Sequence, residues 1–384
     1  MLHNRYLTRG GEDVSTDSQV ELLRQHGHNV ELFEVSNEQV AELGKVRTAA
    51  RSMWSIESYK QIDTLLDGNS FDVMHVQNFF PLLSPSVYYA AQRRGVPVVQ
   101  SLRNFRLVCP EGMLHRDGAV CTDCVGKAFA WPSVKHQCYR GSRVGSATIA
   151  IMSTGHAVAR TWQRKVFRYV TPSAYARQVF LDDGWSPDLI DVIPNFVHPD
   201  PGVGPGDGGF ALFAGRLDPP KGVGTLIKAW RDGGLNFPLK IVGDGSLRAE
   251  VEAAVDAEES IEYLGLVDSS RASELMGEAS FVVVPTTGIE TFGRVAAEAM
   301  AKGTPPVVAS HGGLSEIVVD GETGLVFEPG NAGALAAAGK ELISDPDRLA
   351  VMRSEARARL LGHYEGARVV DQWVSLYRSA MRAG

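Results

Sequence analysis

Two α/β domains, each a mainly parallel sheet with helices on both faces, form the fold class that this sequence predicts. Three observations lead to it. Short apolar runs bounded by turn residues recur through both halves, with helix-forming stretches between them, which is the rhythm of strand–helix–strand crossovers. The 384 residues exceed the ~100–150 of a typical domain. Finally, PNFVHPDPGVGPGDGG (194–209) holds nine Pro or Gly in sixteen residues, which neither a helix nor a central strand accommodates, so it marks a junction.

In chain order, the first domain (1–196) opens on MLHNRY, a stub of strand before the glycine turn TRGGED. Either this strand is short or the natural start lies upstream. Strand candidates follow at NVELFEV (29–35), FDVMHVQN (71–78), PVVQSLR (97–103), YVTPS (169–173) and DLIDVIPN (188–195). Residues 109–138 interrupt this rhythm as a cysteine-rich insertion, and 197–209 is the expected linker. The second domain (210–360) is the clearer one, with GFALFAGRL (209–217), PLKIVGDG (238–245), IEYLGLV (261–267), FVVVP (281–285) and PPVVAS (305–310). The tail 361–384 contains ARVVDQWVSLYRSAM, an amphipathic helix expected to pack on either domain, with a return to the first among the options.

Composition excludes some functions. A net charge of −7 argues against a broad nucleic-acid surface. No apolar run approaches the ~20 residues of a membrane span, and no signal-peptide core is present, so a cytoplasmic location is expected, with peripheral membrane contact left open. Oligomeric state is not legible.

Open α/β sheets bind ligands beyond the carboxyl ends of their strands, and several groups fall there. Glu290 lies in the loop after FVVVP and Glu298 in the following helix; carboxylates suit paired hydroxyls, although either alone also reads as a surface acid. Arg216 ends ALFAGR and Lys221 opens KGVGTLIKAW; together they suit a diphosphate, although each alone also reads as a solvated basic loop. Helix-terminal N–H groups at Phe292 and Gly293 attract phosphate, and Gly10 and Gly11, before a helical run expected from near Ser15, form a second anion-tolerant turn. Gly243, in the turn VGDG, is placed to border a base or is a plain turn.

FAGRLDPPKGVGTLIKAW, IVGDG, IETFGRVAAEAMAKGTPPVVASHGGLSEIVVDGETGLVFEPG and the amino-terminal RGGEDVS with QHGHNVELFEV together resemble a retaining glycosyltransferase of family 4, with a cysteine-bearing bacterial branch in view. That resemblance implies the GT-B architecture, two Rossmann-like domains facing across a cleft. It implies a nucleoside-diphosphate sugar on the second domain, UDP before GDP, and an acceptor on the first: a small molecule, a glycan or a lipid-linked sugar. Glu290 and Glu298 match the family's paired glutamates, and Arg216 and Lys221 its donor-phosphate Arg and Lys. No catalytic metal is expected.

The first domain departs from the pattern. Where many members have a histidine, PVVQSLRN places Arg103, which stays charged and cannot act as a general base; it reads as an anion-binding group or as a structural arginine. His75 and His156 are the remaining acceptor-side candidates, each also readable as a buried histidine, and the helix of His156 is expected to carry Arg160, Arg164, Lys165 and Arg168, which suit an anionic acceptor or a solvated face. Cys109, Cys121, Cys124 and Cys138 (C-x11-C-x2-C-x13-C) suit a structural zinc, with unliganded thiols and disulfides as the alternatives. Besides a transferase, a nucleotide-sugar epimerase of the same architecture and a non-enzymatic interaction module stay open.

Overall fold

The computed structural model describes residues 1–383 and divides into two compact units: residues 1–114, 122–194 and 367 to the end form the first, and 115–121 with 195–366 the second. In the first unit, β1 (Leu2–Arg5), β2 (Phe33–Ser36), β3 (Met74–Asn78) and β4 (Val98–Ser101) are followed by the small hairpin β5 (His115–Arg116) and β6 (Ala119–Val120), which groups with the second unit. β7 (Arg168–Thr171) and β8 (Ile190–Val192) complete the sheet, whose order is β2-β1-β3-β4-β7-β8 with every pairing parallel. The stub MLHNRY is therefore a true strand, and it sits inside the sheet between β2 and β3.

The second unit has β9 (Ala211–Ala214), β10 (Leu239–Val242), β11 (Ile261–Gly265), β12 (Phe281–Val284), β13 (Pro306–Ala309) and β14 (Leu325–Phe327). Their order is β11-β10-β9-β12-β13-β14, all parallel. β14, in TGLVFEP, escapes the sequence reading because it offers only three residues between turns. Strand residues alternate between two apolar layers: Ala211, Phe213, Phe281, Val283 and Val307 pack into one, and Leu212, Ala214, Val282, Val284 and Val308 into the other. That alternation within runs wholly buried, such as FVVV, is what a sheet covered on both faces requires.

The Pro/Gly stretch is fastened to the second unit. The N–H groups of Gly204, Gly206 and Gly208 donate to the carbonyls of Lys302, Gly277 and Glu278 at 2.9, 2.8 and 3.0 Å, which satisfies backbone that no regular element serves. The last helix, Gly366–Ala383, begins five residues later than the expected tail boundary and is counted with the first unit, where Trp373 lies on His75 with ring centroids 4.8 Å apart. In the cysteine segment Cys109 and Cys124 are buried, all four cysteines are thiols, and among the described residues no group of three or more His, Cys, Asp or Glu is arranged to hold a metal. No described helix is long and apolar enough to cross a membrane.

Candidate functional site

In the second unit the connections turn in opposite directions from β9 and β12, which are neighbours in the sheet although 66 residues separate their ends. Such a switch point leaves a crevice at the strands' carboxyl ends. The β9 loop passes through a short 3-10 turn, Pro219–Lys221, to the helix Val223–Arg231. The Pro220 carbonyl accepts from the N–H groups of Thr287 (2.9 Å) and Gly288 (3.0 Å) and from Thr286 Oγ1 (2.6 Å), so the β9 and β12 loops are stitched together. The β13 loop joins them, with Gly313 N–H donating to the Glu290 carbonyl at 2.8 Å and the His311 Nε2 atom 2.9 Å from the Gly288 carbonyl.

These stitches bring Lys221 and Glu290 together. Lys221 Nζ donates to Glu290 Oε1 at 2.5 Å, and the side chains are 25% and 23% exposed, which takes the pair out of the regime where a surface ion pair counts for little. Burial works to raise the Glu290 carboxyl, but Lys221, with Arg216 and His311 adding, outweighs it and holds the group below the ordinary Glu range. Burial in turn keeps the His311 imidazole below its usual value. Arg216 bonds to Asp218 at 3.0 Å, and Asp218 also accepts from the N–H and hydroxyl of Ser246, in the β10 loop. Glu298 sits one turn into the helix Arg294–Ala301, paired with Arg294 Nε at 2.8 Å. Three ionisable groups that the sequence reading passed over, Asp218, Arg294 and His311, thus belong to this site. The first two had a signal, since each stands at helical or turn spacing from a residue already singled out; His311 shows only through the fold.

Gly243 has φ 137°, and a Cβ there would fall 1.8 Å from the Gly215 carbonyl oxygen, so the β9 and β10 ends can approach only through glycine. Its carbonyl accepts from Tyr263 Oη at 2.9 Å. Gly293 caps the helix at φ 102°, and Phe292 contributes a buried ring packed edge-on to Tyr364, so only its backbone serves the loop surface.

The first unit corrects several expectations. The helix after the glycine turn runs Gly11–Gln25, so Gly11 is already helical and Gly10 is its cap. That turn is not an open anion site, because Asp13 Oδ2 accepts the Gly10 N–H at 2.8 Å and Glu12 and Asp13 both occupy the first turn. His75 is buried in β3 with both ring nitrogens engaged, at 2.7 Å from Tyr377 Oη and 2.9 Å from Ser101 Oγ. Burial, with Arg103 adding, pushes it well below the ordinary value, so it is a neutral part of the wall and presents no surface to an acceptor. His156 is likewise committed, to Thr161 Oγ1 (2.9 Å) and the Met53 carbonyl (3.1 Å), and stacks with Trp54. Its helix ends at Val158, so Arg160, Arg164, Lys165 and Arg168 are distributed over a left-handed turn, a short helix and β7 rather than one helix. Arg103 lies beyond β4, donating from Nε to Gln77 Oε1 (3.1 Å) and from Nη2 to Gln19 Oε1 (3.2 Å). It shares a small pocket with Asn104, Arg106, Asn78 and Phe80.

With that geometry in view, residues 10–195 match the family model described as a glycosyl transferase 4-like domain and residues 200–359 match that of glycosyl transferases group 1. Between them the two models span almost the whole chain, and both describe glycosyl transferases. It is 39% identical over 158 residues to an uncharacterized glycosyltransferase of Methanocaldococcus jannaschii, covering 41% of this chain and 44% of that one. It is 32% identical over 247 residues to the phosphatidyl-myo-inositol mannosyltransferase of Mycobacterium leprae, covering 61% and 64%. The chain thus spans about half to two thirds of the length of these curated relatives. Among solved structures, Anabaena Alr3699/HepE in complex with UDP-glucose matches over 99% of this chain and 100% of that one, with TM-score 0.69 and 19% identity, a likeness of fold.

Proposed function

We propose that this glycosyltransferase is a retaining enzyme that moves a sugar from a nucleoside-diphosphate sugar, UDP-linked in the first instance, to an acceptor hydroxyl. The observation that carries this reading is the set of Arg216, Lys221 and Glu290 gathered at the β9/β12 switch point, two cations and a carboxylate held by three stitched loops. The solved relative bound to UDP-glucose supports the choice of donor. Arg216 and Lys221 meet the charge that grows on the diphosphate as its bond to the anomeric carbon breaks, which is stabilisation specific to the transition state. The acceptor oxygen bonds to that carbon from the same face, and its proton passes to a phosphate oxygen of the leaving group. Glu298 takes the ribose hydroxyls, and Glu290 orients a hydroxyl of the transferred sugar. Arg103 and its pocket are on the acceptor side of this reading, and four thiolates around zinc remain the proposed role of the cysteine segment. The location proposed is the cytoplasm.

The experiment is mass spectrometry of reactions pairing UDP- and GDP-sugars with a panel of hydroxyl acceptors, run beside Arg216→Ala. The expected result is a sugar-extended acceptor, with turnover in the variant lower by at least ~100-fold. Conversion of the donor alone indicates the epimerase, and absence of nucleotide binding indicates the interaction module.

A further inference from the structure

Charge in this chain is unevenly placed. From Cys124 to Leu181 there is not one Asp or Glu, whereas nine Lys and Arg fall in that stretch of a chain whose net charge is −7. The stretch lies in the first unit. Within it Lys127, Lys135, Arg140, Arg143, Arg160 and Arg164 are exposed.

The same stretch exposes apolar side chains in a pattern. On the helix Arg143–Val158, Val144, Ile151 and Val158 are 76%, 52% and 79% exposed. Seven-residue spacing puts them along one face, with Thr148 and Gly155 between. Thr148 turns its hydroxyl back to the Val144 carbonyl at 2.8 Å, so this face offers no competing polar group, while Ser146, Ile149, Ala150 and Met152 of the opposite face are buried. Trp131, 67% exposed, stands on the preceding helix with Phe129 edge-on at 5.0 Å, and Thr154 Oγ1 fastens that segment by donating to the Ala128 carbonyl at 3.0 Å. Val46, 83% exposed between Lys45 and Arg47, lies on a helix packed against the same one.

We propose that this face docks the protein on an anionic membrane surface, with the valine–isoleucine stripe and Trp131 entering the headgroup boundary and the flanking Lys and Arg meeting lipid phosphates. An exposed apolar stripe edged by cations is the chemistry of an interfacial helix. A second copy of the chain fits this face poorly, because a symmetric contact would set its own cations against each other. A soluble polyanion would use the charges and leave the stripe exposed to water. The inference does not depend on the proposed donor-site residues Arg216, Lys221 and Glu290, which lie in the other unit.

The test is flotation of the full chain with vesicles of phosphatidylcholine alone or containing one third phosphatidylglycerol. Each cation near an anionic surface is worth about five-fold in partitioning, so binding to the anionic vesicles should exceed that to neutral ones by at least ~10-fold and fall in raised salt. Arg140→Glu with Arg143→Glu should reduce binding by ~10-fold or more, and so should Val144→Ser, Ile151→Ser and Val158→Ser together, with thermal melts unchanged because all five side chains are exposed. Equal binding to both vesicles, no binding to either, indifference to both sets of variants, retention on a sulfated polysaccharide without vesicle binding, or a dimer that the stripe variants dissociate would each overturn it.

Discussion

Replacing Lys221 by Met removes the cation of the Lys221–Glu290 pair while keeping most of its apolar stem. Both partners are about three-quarters buried and their contact is 2.5 Å, so the loss is that of a charge-assisted hydrogen bond, about 2 kcal/mol. For a unit the size of residues 195–366 this corresponds to a fall of about 4–8 °C in melting temperature. The pH dependence is the sharper test. In the native chain Glu290 is held below the ordinary Glu value of about 4.3, so its contribution is present above that value and is lost as pH falls through the lower folded one. Burial is already the largest single influence, and without Lys221 it should no longer be outweighed and the carboxyl should rise, so that the charged form is penalised at neutral pH and the penalty disappears on protonation. The deficit should therefore be largest near pH 7.5 and at least halved by about pH 4, read by paired thermal melts of the two proteins. A constant deficit across that range, or none at neutral pH, would refute the electrostatic account.

Glu298→Ala should weaken nucleotide-sugar binding by about one to two decades in calorimetry, the value of hydrogen bonds to a charged acceptor; unchanged affinity removes Glu298 from the ribose role. Gly243→Ala places a Cβ 1.8 Å from the Gly215 oxygen at a φ of 137°, so strain and overlap together should cost about 3 kcal/mol or more, seen as a lower denaturation midpoint; a neutral result would show that the β9 and β10 ends part easily. If Cys109, Cys121, Cys124 and Cys138 share one zinc in solution, elemental analysis should give about one zinc per chain and Cys121→Ser should lower metal content and melting temperature together. A metal-free preparation of equal stability would answer that reading, and a mass lower by two hydrogens per bridge would reveal disulfides.

The second sheet was legible because its strands are buried on both faces and so read as unbroken apolar runs such as FVVV and PVVA. The strands of the first sheet were legible too, but the roles of their polar residues were not, for a physical reason: the central strands carry buried polar side chains, His75, Gln77 and Asn78 on β3 and Gln100 on β4, whose partners come from distant residues. Gln77 bonds to Gln19, Tyr88 donates to Gln100, and His75 is closed over by Tyr377, more than 300 residues away in sequence. A histidine on a strand near a crevice looks like a ligand group until the helix that buries it is placed. Glu290 and Lys221 could be read individually, yet not as a pair, because their contact depends on the Pro220 carbonyl collecting three donors from the β12 loop.

That pairing bears on the proposed donor site. Arg216 and Lys221 each hold a carboxylate, Asp218 and Glu290, so the site keeps its cations near charge balance without an external anion. A diphosphate entering such a site exchanges one anionic partner for another rather than meeting bare cations. Its net gain is therefore smaller than a count of contacts suggests. The exchange has a second consequence, since Lys221 turning toward phosphate releases Glu290 to accept from a sugar hydroxyl. Burial then works to raise that carboxyl, and Arg216 opposes the rise. On this reading Glu290→Gln should leave nucleotide binding near its native strength or tighter, because Lys221 is freed for phosphate, while turnover falls by at least ~10-fold through loss of sugar orientation. Weaker binding of the nucleoside diphosphate alone would mean that Glu290 positions Lys221 for the phosphate rather than competing with it.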